Sequence, residues 1–228
     1  MHWIFRMVAC LSAGSIFSGC ASVSLSKREW IEPAAPAPER ILVGPFTLDR
    51  GNARVGREGG GFAEFEGQFL REFSGRLAER LSKHVAPAEV LEPDEKIPKG
   101  RVWVVRGHFT RLNQGSRALR AFVGFGLGGT KTEARFEVFR AGSRGRLEKI
   151  AEFETTGGSN AEPGALFSSP FGAGPRLVTQ LAASGLSADA RRTARMVTAA
   201  ISEKLHSRGE KLAGRPLRAK PLGDLPGG

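Results

Sequence analysis

Lys131-Thr132-Glu133-Ala134-Arg135-Phe136-Glu137-Val138-Phe139-Arg140 sets Thr132, Ala134, Phe136 and Val138 in alternation with Lys131, Glu133, Arg135 and Glu137. Successive side chains of a strand point to opposite faces, so this stretch is a strand with one face buried and one face wet. Upstream, Arg101 to Leu112 is rich in β-branched and aromatic residues, and so is Leu147 to Thr155 downstream. Ala141-Gly142-Ser143-Arg144-Gly145 joins the last two as a hairpin loop. Further out, Ile41 to Phe46 is a short buried strand, and Pro45 marks its end or an edge position because proline cannot donate to a ladder.

Two helices complete the pattern. Phe62, Phe65, Phe69, Phe73, Leu77, Leu81 and Val85 recur every three or four residues, which predicts a helix from about Phe62 to Val85 with one apolar stripe. After Gly157 to Pro175, a long Gly/Ser/Pro-rich loop, a second helix is expected behind Ser187. Ser187 would cap it and Asp189 would favour its N-terminal dipole. Ala190, Ala194, Val197, Ile201 and Leu205 form its stripe, and Gly209 is its stop. The expected fold is an α/β (α+β) two-layer sandwich. A mixed four-stranded sheet in the order β-α-β-β-β-α carries the two main helices on one face.

Between the second and third strands runs Gly115-Ser116-Arg117-Ala118-Leu119-Arg120-Ala121-Phe122-Val123-Gly124-Phe125-Gly126-Leu127-Gly128-Gly129. This segment resembles the signature of the DUF4410 family of bacterial lipoproteins, a domain of unknown function. The match rests on Gly115, Arg117, Ala118, Arg120, Gly124, Phe125, Gly126 and Gly128. The resemblance implies a periplasmic or surface lipoprotein domain with no assigned catalytic residue. As physical chemistry, the glycines allow close backbone packing or a bulge. A second reading makes Ala118 to Leu127 an apolar surface for a partner or the membrane interface, with Arg117 and Arg120 meeting phosphates or acidic side chains. A third has the glycines line a small-ligand groove. The candidate interaction residues are therefore Arg117, Arg120, Phe122, Gly124, Phe125, Gly126 and Gly128.

The N-terminal residues speak to location. Arg6 precedes an uncharged apolar run, Met7 to Phe17, of signal-peptide length and well short of the ~20 residues a spanning helix needs. Phe17-Ser18-Gly19-Cys20 resembles a lipobox, with Phe17 where leucine is commonest. Cleavage before Cys20 and acylation of its sulfur would anchor the chain to a bilayer. Ala21, where lipoproteins kept at the inner membrane often carry aspartate, points to the periplasmic side of the outer membrane, with the inner membrane as the alternative. Residues 1–19 are thus expected as signal peptide and 20–39 as lipidated N-terminus and flexible linker. Residues 40–209 are expected as one domain and 210–228 as a basic, Pro/Gly-rich disordered tail.

The formal charge of +11 calls for anionic partners. Outside the cytoplasm these are lipid headgroups and envelope polymers, so nucleic acid is not expected. Gly124-x-Gly126-x-x-Gly129 satisfies a dinucleotide fingerprint and Gly129-Thr130-Lys131-Thr132 resembles a P-loop end, but both need a helix to follow and a strand follows instead. His84, His108 and His206 lack metal-ligand spacing, and neither His-Glu-x-x-His nor Gly-x-Ser-x-Gly occurs. Glu64, Glu66 and Glu72 lie beside the helix stripe, where solvated charge is the default. No catalytic residue, metal or cofactor is expected. The chain reads as a membrane-anchored binding or accessory module for an envelope protein or polymer. The alternatives are an oligomerising assembly lipoprotein, which makes homo-oligomers, and a cell-wall hydrolase.

Overall fold

A computed structural model describes residues 22–115, 130–142, 146–158 and 175–220, with side chains from Val23 and, in the last stretch, from Leu186. The alternation around Phe136 builds the sheet's middle. Strand β6 (Lys131–Ala141) lies antiparallel between β5 (Val102–Asn113) and β7 (Leu147–Gly158). Thr132, Ala134, Phe136 and Val138 are all buried, as the pattern requires. The hairpin between β6 and β7 stands, although residues 143–145 lie outside the described set.

The sheet has seven strands, not four. Its order is β1-β7-β6-β5-β2-β4, with β3 (Ala53–Arg54) pairing β5 beyond the end of β2 (Arg40–Leu48). Strand β4 (Ala88–Val90) runs parallel to β2, which runs parallel to β5. Pro45 sits where the β2 register shifts between Val43 and Phe46, past the last residue that β4 covers, so its missing N–H faces no partner strand.

Strand β1 (Ser22–Trp30) corrects the flexible-linker expectation for 20–39. It pairs antiparallel with β7 from Ser22 opposite Gly158 to Trp30 opposite Ala151. Its period is hidden by a bulge at Ser26, where the register shifts between Leu25 and Lys27. Val23 and Leu25 face the core before the bulge; after it the helix side is taken by Trp30, packed on the core, and by exposed Arg28, paired with Glu203, so strict alternation fails at the middle of the strand. The prolines that follow are also tied down. Trp103 Nε1 donates to the Pro36 carbonyl at 3.1 Å, Arg208 donates to the Ala35 carbonyl at 2.5 Å, and Ala35 is buried.

Helices α1 (Gly59–His84) and α2 (Pro175–Ser207) cover one face of the sheet and bury the main core with it. Phe69, Phe73, Leu77 and Leu81 of the predicted α1 stripe are buried, while Phe62 and Phe65 lie half-buried at its start. Phe73 stands edge-on to Phe46 and Phe109, with ring centroids 5.0 and 4.9 Å away, and against Phe136. Such tilted aromatic packing adds to the area term. The α2 stripe of Ala190, Ala194, Val197, Ile201 and Leu205 is buried throughout.

Helix α2 begins at Pro175, so Ser187 is inside it and cannot be its cap. Asp189 likewise serves no helix end: it is fully buried, accepts the Thr130 hydroxyl, and pairs with Arg192 at 2.9 Å. Gly209 does stop the helix, with φ +74 and its amide on the His206 carbonyl. The segment after it is not a free tail. Leu212 and Ala219 pack on the core, and the amide of Ala213 donates to the Val85 carbonyl at 2.9 Å. Of the expected long loop, Gly157 and Gly158 belong to β7 and Pro175 to α2, and residues 159–174 lie outside the described set.

Candidate functional site

One end of the sheet gathers the features that the sequence singled out. The register sets Ser22 of β1 opposite Gly158, Gly157 opposite Thr132, and Thr132 opposite Leu112. The strand start that follows Cys20 therefore stands in line with Gly115 and Thr130, the residues that flank the glycine–arginine segment. Both flanks are fastened. The Gly115 amide donates to Asn113 Oδ1 at 2.8 Å, with Gly115 at φ +74, and the Gln114 amide donates to the Arg54 carbonyl at 2.9 Å. Thr130 is held by buried Asp189, and its carbonyl lies so close to Gly158 that no Cβ fits there. Arg117, Arg120, Phe122, Gly124, Phe125, Gly126, Gly128 and Cys20 themselves lie outside the described residues.

The sheet face away from the helices carries a small apolar cluster around Leu42, Val102 and Val104 at one end and is open and charged over the rest. Across β1, β7 and β6 its ions pair off. Lys27 contacts Glu29 and Glu152, Lys149 contacts Glu137 and Glu152, Arg135 contacts Glu154, and Lys131 contacts Glu133, all within 3.0 Å. Hydrogen bonds from Lys27 and Lys149 hold the Glu152 carboxyl down at about 2, while Glu152 and its neighbours hold both lysines above their ordinary range.

Along β5 and β3 the same face differs. Arg106, His108 and Arg111 of β5 and Arg54 of β3 point outward, and none of them pairs with a carboxylate among the described residues. The carboxylates opposite are engaged elsewhere: Glu137 faces Arg106 but accepts from Lys149, and Glu133 faces Arg111 but pairs with Lys131. Arg106 lies over the Phe139 ring, 5.7 Å from its centroid, and its Nε is buried with no acceptor. His108 Nδ1 shares a 2.7 Å hydrogen bond with the Thr47 hydroxyl.

Beside this row is a shallow groove of about 350 Å³, lined by Ser26, Thr110, Glu133, Arg135, Glu154 and Thr156. Ser26 and Thr110 are the extra residues of two β-bulges at the same level on strands that flank the β7–β6 pair. Bulges bend a strand and re-aim its side chains, which makes the face concave here. A second recess, about 290 Å³ at the opposite end, holds Arg101 and Arg140, but Glu39, Glu32 and Glu148 already satisfy both.

The row was not found by reading the sequence, because an unpaired cation is recognised only once strand register shows which carboxylates are occupied. The signal in the sequence was the outward set Arg106, His108 and Arg111 against Val105 and Phe109. Of the α1 carboxylates, Glu64 is exposed and Glu72 pairs with Arg76 at the surface, whereas Glu66 is largely shielded and pairs with Arg50. No group of three or more metal-ligating side chains occurs among the described residues, and none of their helices is long and apolar enough to cross a membrane. Strand β6, from Lys131, stands where both nucleotide-like motifs would need a helix.

Fold and site together define a mixed α+β domain with one helix-covered sheet face and one open, charged face. Residues 63–173 match the family described as Domain of unknown function (DUF4410). The resemblance read from the Gly115 to Gly129 segment therefore stands, since the matched stretch contains that segment whole. Two solved structures are similar at low identity. A dodecamer of a PelC variant from Paraburkholderia phytofirmans is 13% identical, over 83% of this chain and 98% of that one, with a TM-score of 0.39. A second PelC dodecamer from the same organism is 12% identical, over 73% and 95%, with a TM-score of 0.32. No curated protein matches the chain.

Proposed function

We propose that the protein is a lipid-anchored envelope lipoprotein whose domain is a binding or accessory module for an envelope protein or polymer. Anchoring is through Cys20, on the periplasmic side of the outer membrane, and binding is through the 115–129 segment and the basic surface. The observation that supports it most is the sheet register. Ser22 pairs with Gly158 in the same row of the sheet as the flanks of the glycine–arginine segment. Two residues span about 7 Å, so a lipid on Cys20 would hold this end of the sheet at the bilayer surface with no tether between. That end carries Gly115 and Thr130, the two attachment points of the proposed binding segment, and the anchor would bring them close to the headgroups.

The test has two parts. Mass spectrometry of the protein purified from membranes should give an N-terminal peptide beginning at acylated Cys20; an unmodified thiol with residues 1–19 attached defeats the anchor. Arg117→Glu with Arg120→Glu should abolish partner capture from envelope extracts and leave the thermal midpoint unchanged. Undiminished capture would remove the segment from the binding role.

A further inference from the structure

We infer that the open sheet face binds an acidic polysaccharide, its carboxylates on the arginine row of β5 and β3 and its hydroxyls in the adjoining groove. This rests on the envelope-binding reading above and names the ligand class and the surface.

Charge is the first argument. On the β1, β7 and β6 part of the face every outward lysine or arginine has a carboxylate within 3.0 Å. On β5 and β3, Arg106, Arg111 and Arg54 have none among the described residues, so the uncompensated positive charge of these central strands lies in one line. Arginine's planar fork matches a carboxylate in two parallel hydrogen bonds. Arg106 is also pre-organised, since stacking on Phe139 fixes its side chain before any ligand arrives.

Geometry is the second. Same-face residues on a strand repeat about every 7 Å, so Arg106, His108 and, past the bulge, Arg111 offer a regular series of cationic or hydrogen-bonding sites. Such a row suits an extended chain with an anionic group on each repeat.

The third argument is the groove. Thr110 lies in the chain between His108 and Arg111, so groove and row adjoin. The hydroxyls of Ser26, Thr110 and Thr156 donate and accept, and Glu133 and Glu154, each paired with one cation, keep a second oxygen that can accept, which is the mixed set a polyol needs. A nucleic acid would want exposed aromatic platforms for its bases, and among the described residues the exposed large apolar side chains are Ile31 and Val90, neither aromatic. A bilayer could touch only one end of a row that runs along a strand.

The full chain, purified with its anchor in detergent, should bind polygalacturonate, with an affinity that falls as salt rises. Arg106→Gln with Arg111→Gln should weaken binding about tenfold or more, and the salt slope should flatten by about one for each arginine removed. Arg111→Gln alone, at an exposed position, should give part of that loss with an unchanged thermal midpoint. Thr110→Val should weaken binding to polygalacturonate but not the residual binding to polyglutamate, a polyanion without sugar hydroxyls. No binding, unchanged binding by the double variant, or a preference for polyglutamate, duplex DNA or phosphatidylglycerol vesicles over polygalacturonate would overturn the proposal. Acylated Cys20 in the same preparation, without polymer binding, would sink the ligand and spare the anchor.

Discussion

The backbone amide of Leu25 donates to the carbonyl oxygen of Lys220 at 2.9 Å, which joins the segment after α2 to the outer edge of strand β1. Reaching that point, the segment passes between the helices. His84 Nδ1 bonds the Arg215 carbonyl at 3.0 Å, and the Leu217 amide donates to the Ser202 hydroxyl at 3.0 Å. An edge strand otherwise shows unpaired amides and carbonyls to any passing chain, so the strap protects β1 as well as the core.

Gly214 sets how closely this strap lies. A Cβ there would collide with the carbonyl oxygen of Lys83, a backbone atom that cannot swing aside. Gly214→Ala should therefore lift the strap and destabilise the fold by about 1–3 kcal/mol, lowering the thermal midpoint by a few degrees. Trypsin should then cut faster after Lys211 and Arg218. An unchanged midpoint with an unchanged digestion pattern would show that the strap is not closely seated.

Glu152 gives the fold an acid-sensitive element. Its carboxyl lies at about 2 in the folded chain, against an ordinary 4.5, because Lys27 and Lys149 both donate to it. A depressed folded value means that the stabilisation is complete above 4.5 and is lost as pH falls from there towards 2. The pair is near solvent, so its size is at most about 1 kcal/mol. Glu152→Gln should lower the urea midpoint at neutral pH and make the difference from the parent shrink as pH falls through that window. A difference that stays constant with pH would refute the linkage.

Sequence and structure agree where a period runs unbroken. The strands around Phe136 and the two helix stripes were legible because alternation and the three-to-four spacing hold over many residues. Strand β1 was not, since the bulge at Ser26 shifts the helix-facing parity from Val23 and Leu25 to exposed Arg28 and half-buried Trp30. The strap was hidden for another reason. Leu212, Leu217 and Ala219 are isolated among prolines and basic residues, and they are fixed by tertiary contacts that no local pattern records. The start of α2 was misplaced because Ser187 and Asp189 look like cap residues, yet both lie inside the helix. Of the site, the sequence singled out the segment between β5 and β6 but not the arginine row, which exists only once four strands are in register.

Gly107 shows how tightly the middle of the sheet is filled. A Cβ added there would stand 2.6 Å from a Phe46 ring carbon and 2.8 Å from one of Phe136. Those rings are packed 6.0 Å apart, centroid to centroid, and neither has room to retreat. Gly107→Ala should cost about 1–3 kcal/mol by overpacking. Adding Phe46→Leu should recover part of the loss, so the two changes together cost less than their sum. Simple additivity in a double-mutant cycle would argue against this contact as the cause.

Two residues one turn apart on α2 should respond with opposite signs. Asp189 is buried and serves both Thr130 and Arg192, so Asp189→Ala strips acceptors from groups that stay where they are. A buried partner left unsatisfied costs about 1–3 kcal/mol, and the thermal midpoint should fall accordingly. Thr193, also fully buried, has a hydroxyl with no hydrogen-bond partner among the described residues. Its desolvation is a standing penalty with nothing to offset it. Thr193→Val keeps the β-branched shape and removes the polar atom, so it should raise the midpoint, by an amount equivalent to about 1 kcal/mol. If Thr193→Val destabilises as Asp189→Ala does, the hydroxyl has a bonding partner after all, and the helix-facing side of β6 near Thr132 is where to look for it.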